Sequence, residues 1–134
     1  LLLAPAEVRE LREIILTLSK NKAGLFASRF ISESVGRLMH IADYFEALTN
    51  GRPFPRVYCN APMVSAVITS KGDLLPCFFL PAVGNLRREG LRTLLNSGAM
   101  QNTRSDVRAY ALEQCQTCVC SLKVTPLMAL ANQF

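Results

Sequence analysis

The apolar positions follow two different rhythms along the chain. Over residues 5–20 they recur with helical spacing, placing Val8, Leu11, Ile15 and Leu18 on one stripe. Pro5 suits a first helical turn, Glu7 and Glu10 suit the positive N-terminal end, and Lys20 and Lys22 suit the other end. A loop is expected near Gly24. A second helix is expected over residues 28–49, with Ile31, Val35, Leu38, Met39, Ala42, Phe45 and Leu48 as its apolar positions. Asn50-Gly51 is a strong stop, and Pro53 and Pro55 oppose continuation.

Beyond Pro55 the rhythm shortens. Residues 64–69 alternate and are rich in β-formers, residues 74–79 form a second such run, and Ser70-Lys71-Gly72-Asp73 lies between them. Two β runs around a Gly-containing turn predict a hairpin, with Gly72 supplying the positive φ. A loop over 81–85, short helices over 90–96 and 99–112, a cysteine-rich turn over 115–120 and a weakly helical apolar tail over 126–134 complete the pattern. The expected fold class is α+β: N-terminal helices, then a β-hairpin and helices around a cysteine-ligated site. The boundary falls near residues 51–55, separating a helical segment 1–52 from a mixed domain 53–134.

Composition narrows the function classes. The chain has 134 residues, 50% hydrophobic and 19% charged, which suits a folded chain with a core rather than a disordered one. The net charge of +5 is scattered; its densest cluster is Arg87-Arg88 with Arg92, and no basic run is interleaved with aromatics. A nucleic-acid partner is therefore not expected. No apolar run approaches the ~20 residues of a membrane helix, and residues 1–4 are too short for a signal-peptide core. The chain opens on Leu1 rather than Met, so further sequence is expected upstream. Five cysteines, an odd number, with no export signal point to the reducing cytoplasm, where cysteine clusters favour metal over disulfides.

The cysteines carry the chemistry. Seventeen residues separate Cys59 from Cys77, with Gly72 between them in a C-x12-G-x4-C pattern; thirty-seven residues later come Cys115-x2-Cys118, and then Cys120. A C-x2-C turn lets two thiolates converge on one centre. The hairpin is expected to carry Cys77 in its second strand and Cys59 just before its first, and the following helices return Cys115 and Cys118 to them. Four thiolates complete one tetrahedral zinc site or one [4Fe–4S] cluster, and the spacing does not choose between them. Five cysteines cannot fill two four-thiolate sites. A redox dithiol would call for a β-α-β frame, which is missing.

Cys59-x12-Gly72-x4-Cys77, with Ile68-Thr69-Ser70-Lys71-Gly72-Asp73-Leu74-Leu75-Pro76-Cys77 written out, is followed by Gly84-Asn85-Leu86, by a Leu-rich helix with Leu91, Leu94 and Leu95, by an Arg-containing helix, and by Cys115-x2-Cys118. This order resembles the auxiliary-cluster region of radical SAM enzymes, the SPASM and shorter twitch domains, over about residues 58–122. The resemblance implies one auxiliary [4Fe–4S] cluster on Cys59, Cys77, Cys115 and Cys118, with Cys120 a bystander or an alternative ligand. The chain departs from the seven-cysteine SPASM pattern, which favours the one-cluster arrangement. It also lacks C-x3-C-x2-C. S-adenosylmethionine and a second [4Fe–4S] cluster are thus implied only for a longer enzyme, on an upstream radical SAM barrel. Residues 1–52 would be the end of that barrel and its bridge. The auxiliary cluster would transfer electrons or bind substrate during radical modification of a peptide or small molecule. The alternative is a structural zinc-binding interaction module without catalysis.

Three other groups read as structural. His40, the single histidine, is expected as a partly buried helix residue, Asp43 and Glu46 as a solvated face, and Arg87, Arg88 and Arg92 as a surface cluster.

Overall fold

A computed structural model describes residues 2–120, 122–125 and 127, so the expected tail over 126–134 lies almost wholly outside the described residues. The architecture is mixed α+β, as expected, and the contacts divide the chain into two compact units, Leu1–Arg56 and Val57–Phe134.

The first unit is helical. Helix α1, Pro5–Asn21, has proline in its first turn, and the Ala4 N–H donates to the Glu7 carboxylate at 2.6 Å. The expected loop at Gly24 is instead a short helix, α2, Ala23–Ala27. Helix α3, Val35–Asn50, starts seven residues later than the apolar pattern suggests. Arg29 takes a left-handed φ of 58°, which no helix tolerates, and the Ser34 hydroxyl caps the new start by accepting the Arg37 N–H at 3.3 Å. Gly51 ends α3 with φ 63°, as its position predicts.

Helices α1 and α3 pack on each other, burying Val8 and Ile15 on one and the small Ala42 and Ala47 on the other. Arg12 ties them: one guanidinium nitrogen stands 2.7 Å from Asp43 and 2.5 Å from Glu46. The expected solvated carboxylates therefore serve an interhelical ion pair, which Arg52 extends at 3.0 Å to Glu46. The two carboxylates hold the Arg12 guanidinium firmly in its charged form, its pKa raised chiefly by the hydrogen bond it donates to Asp43. His40 is half-buried, as expected, with its Nε2 atom lacking a hydrogen-bond partner among the described residues.

The second unit is built on a three-stranded antiparallel sheet, β1 Val67–Ile68, β2 Asp73–Leu75 and β3 Gly84–Asn85, in that order. Register pairs Ile68 with Leu74 and Leu74 with Gly84. The hairpin turn at Gly72, with φ 87°, stands where the sequence puts it. Two expectations fail. The first β run is shorter than its alternation suggests, because Ala61–Val64 form a helical turn, α4, started by Pro62. The segment 81–85, expected as a loop, supplies the third strand. Asn85 secures it: its amide nitrogen donates to the Lys71 carbonyl at 3.1 Å and to Asp73 Oδ1 at 2.8 Å, and its amide oxygen accepts the Arg87 N–H at 2.8 Å.

Helices α5, Leu91–Leu95, and α6, Gly98–Ala109, follow the sheet and contribute Leu94 and Met100 against Leu74 of β2. Leu74, Leu94 and Met100 make the core, with Ala66, Val83, Leu86 and Leu95 packed around it. Ser97 caps α6 by accepting the Met100 N–H at 3.2 Å, and Tyr110, at φ 57°, ends it three residues before the expected Leu112. Arg104 reaches back from α6 to the carbonyls of Pro62 at 2.8 Å and Leu95 at 2.9 Å. Both would otherwise be orphan acceptors at short helix ends. A last helical turn, α7, Glu113–Gln116, stands where a plain cysteine-rich turn was expected.

Candidate metal centre

Each cysteine is delivered by a different device. Cys59 immediately precedes Asn60 and α4. Cys77 lies in a bend two residues beyond β2, not within a second hairpin strand as expected, between the fully buried Pro76 and the turn carrying Phe78 and Phe79. The strand stops because Pro76 has no N–H to continue the ladder. Cys115 sits on α7, and Cys118 follows two residues after that helix ends. All four thiols are half-buried, whereas Cys120 is exposed, and none of the five is in a disulfide.

Cys59, Cys77, Cys115, Cys118 and Cys120 all line one cavity of about 500 Å³ within the second unit. Its other walls are mostly apolar: Val57, Pro62, Val107 and Leu80 among them, with Tyr110 and Gln114 adding polar atoms. Phe78 and Phe79 line it from exposed positions. Among the described residues no three His, Cys, Asp or Glu side chains stand close enough together to hold one metal ion. Four thiolates on one tetrahedral zinc, at Zn–S distances of about 2.3 Å, would crowd within roughly 3.8 Å of one another. The thiols are distributed along the wall of the cavity instead.

Electrostatics link the same groups. Burial pushes the Cys115 thiol above its ordinary pKa, and the fields of Cys77 and Cys59 push it further. Cys118 is raised by burial first; the Cys120 backbone partly offsets this, and Cys120, Cys59 and Cys115 add to the rise. In the metal-free fold these groups favour the protonated thiol. That contribution to stability is present below the ordinary thiol pKa and is lost as pH rises through the raised values. Loading a centre must displace the protons, so uptake should strengthen with rising pH. We expect alkylation of the metal-free protein near pH 8 to reach the exposed Cys120 before Cys115 and Cys118, whose modification accelerates as pH rises. Mass spectrometry after timed quenching would read the order; Cys115 and Cys118 reacting first would contradict the burial described here.

Backbone donors point at two of the sulfurs. The Ala61 N–H donates to Cys59 Sγ at 3.4 Å and the Cys120 N–H to Cys118 Sγ at 3.3 Å. Such bonds favour a thiolate and tune a bound cluster. Cys120 thus meets Cys118 through its backbone N–H, and Cys120 itself, though exposed, also lines the cavity.

Sequence reasoning missed Asn60 and Arg104. Arg104 joins α6 to Pro62 and Leu95, and Asn60 contacts Val124, sixty-four residues away, so no local signal announces either. No helix among the described residues is long and apolar enough to cross a membrane.

Neither a curated protein nor a solved structure matches the chain. A family match does exist; it begins on Cys59, ends at Val119, takes in Cys77, Cys115 and Cys118, and stops one residue short of Cys120. Residues 59–119, a little under half of the chain, match SPASM, an iron–sulfur cluster-binding domain, a match consistent with a SPASM-type domain of a radical SAM enzyme.

Proposed function

We propose that the second unit is the auxiliary-cluster domain of a radical SAM enzyme and holds one [4Fe–4S] cluster through Cys59, Cys77, Cys115 and Cys118. The observation that carries this reading is that these four thiols, together with Cys120, line one cavity. The backbone N–H groups directed at Cys59 and Cys118 support both as thiolate ligands. Cys120, more exposed and beyond the family match, is the bystander. When bound, the cluster supplies one-electron redox chemistry or an iron site for substrate, set by its burial and hydrogen bonds. The chain's own residues ligate, exclude water with apolar walls, and hold the sulfurs apart.

The remaining assignments extend that reading. The helical unit Leu1–Arg56 would be the end of the radical SAM barrel and its bridge, with S-adenosylmethionine and a second [4Fe–4S] cluster on an upstream portion of a longer enzyme. The substrate would be a peptide or small molecule. Five cysteines without a disulfide fit the cytoplasm.

Anaerobic reconstitution of the chain with iron and sulfide, followed by analysis of iron, sulfide and zinc, tests the proposal. About four iron and four sulfide per chain, with visible absorption bleached by dithionite, is the expected result. About one zinc per chain and no stable iron would replace it with the structural zinc module.

A further inference from the structure

Asn60 directly follows Cys59 and makes three hydrogen bonds to one remote stretch of chain. Its backbone N–H donates to the Leu122 carbonyl at 2.7 Å. Its Nδ2 donates to the Val124 carbonyl at 2.8 Å, and its Oδ1 accepts the Val124 N–H at 3.0 Å. Among the common side chains, only a carboxamide offers a donor and an acceptor side by side to one peptide residue in this way. Between these anchor points Lys123 Nζ lies 6.0 Å from the Tyr58 ring centroid, at the outer reach of cation–π attraction. Residues 58–60 and 122–124 are therefore fastened at three successive places.

That fastening bears on the cavity. Leu122 lines it, and only three residues separate Leu122 from Cys118. At no more than ~3.6 Å per residue, the anchor confines Cys118 to within roughly 14 Å of Leu122. On its other side Cys118 hangs from α7, a four-residue helix, and so short a helix has little stability of its own.

We infer that Asn60 is a positioning residue of the cluster site: by fastening Leu122 and Val124 beside Cys59, it fixes where the Cys118 thiol stands and keeps Leu122 at the cavity rim. The inference rests on the cluster reading above. It gives Asn60 a role that no thiol can perform, since the ligand after α7 needs a second support and the amide provides one next to the first ligand.

The test uses the full chain, reconstituted anaerobically, with two isosteric variants. Asn60→Asp keeps an acceptor for the Val124 N–H but sets a carboxylate oxygen against the Val124 carbonyl. Asn85→Asp breaks a comparable amide bridge in the sheet of the same unit and is the control for simple loss of stability. Three readings are taken: cluster loss to excess chelator, the cluster's midpoint potential, and the thermal midpoint of the metal-free protein. We expect Asn60→Asp to lose its cluster roughly tenfold faster than wild type, and to shift its potential, with little change in the metal-free thermal midpoint. Asn85→Asp should lower that midpoint more and speed cluster loss less. Cluster loss at the wild-type rate in Asn60→Asp, or loss that simply tracks thermal destabilisation in both variants, would overturn the inference. Hydrogen exchange at the Val124 amide of the metal-free protein reads the clamp without iron. Protection lost in Asn60→Asp supports it, and an unprotected Val124 amide in wild type overturns it. A wild-type chain that takes up no iron would instead count against the cluster reading.

Discussion

Replacing Cys77 with Ala should leave the reconstituted protein without stoichiometric iron and without the stabilisation that a bound cluster confers. Of the four proposed ligands, Cys77 is the one whose place the fold fixes most firmly. The fully buried Pro76 precedes it and the buried Leu80 follows three residues later, so the bend between them cannot relocate to offer another side chain. Removing the sulfur therefore deletes a ligand while the cavity keeps its walls. A group held a hundredfold above its dissociation constant stabilises the folded state by about 2.7 kcal/mol, and this contribution disappears when the site cannot close. The metal-free forms of wild type and variant should melt at similar temperatures, and the difference should open only after reconstitution. Cys120→Ala is the matched comparison, since its exposed side chain lies outside the proposed ligand set; it should retain iron. Iron content and thermal midpoint of Cys77→Ala equal to wild type would sink the assignment. Loss of iron in Cys120→Ala would transfer the fourth ligand to that residue.

The parts of this fold that could be read from the sequence are those whose cause is local. Helix α1 and the stop of α3 at Gly51 follow from proline, charge and glycine within a turn of where they act. Gly72 announces its turn in the same way. The start of α3 was misplaced because Arg29 in a left-handed conformation and the Ser34 cap override an apolar pattern that runs straight through them. Strand β3 was missed for the opposite reason. Gly84 and Asn85 have little preference for strand, and their pairing is supplied by Asn85 bonds to Lys71 and Asp73, twelve or more residues away. The cysteines were legible as a set because a C-x2-C turn and two further cysteines at set spacings are a signal in themselves, and the fold lines one cavity with all of them. Their delivery was not. Pro76 moves Cys77 out of the strand into a bend, and α7 lifts Cys115 onto a helical turn. Asn60 and Arg104 lie beyond any local reading, because each meets its partner only after the chain has folded.

Gly84→Ala should destabilise the second unit by about 1–3 kcal/mol, the usual cost of forcing a methyl into a packed core. A Cβ at Gly84 would lie 2.3 Å from Leu94 Cδ2 and 3.4 Å from Leu94 Cγ. Leu94 is a flexible side chain in principle, but it is only 1% exposed and packs with Leu74 and Met100. It cannot swing away without displacing them. Leu94→Ala alone should cost about 2–5 kcal/mol through lost burial and a residual cavity. In the double variant the new methyl enters space that the leucine has vacated, so the combined cost should fall short of the sum by about 1 kcal/mol or more. Urea unfolding of the four metal-free proteins would measure this coupling, and strict additivity would show that β3 and α5 do not meet as described. The same contact reaches the proposed centre through the sheet. Gly84 pairs with Leu74, and Leu74 stands three residues before Cys77 on the strand that leads into its bend. Pushing β3 away from α5 strains the support of that ligand, so Gly84→Ala should also shed its cluster faster than wild type, and relief by Leu94→Ala should restore part of the retention along with part of the stability.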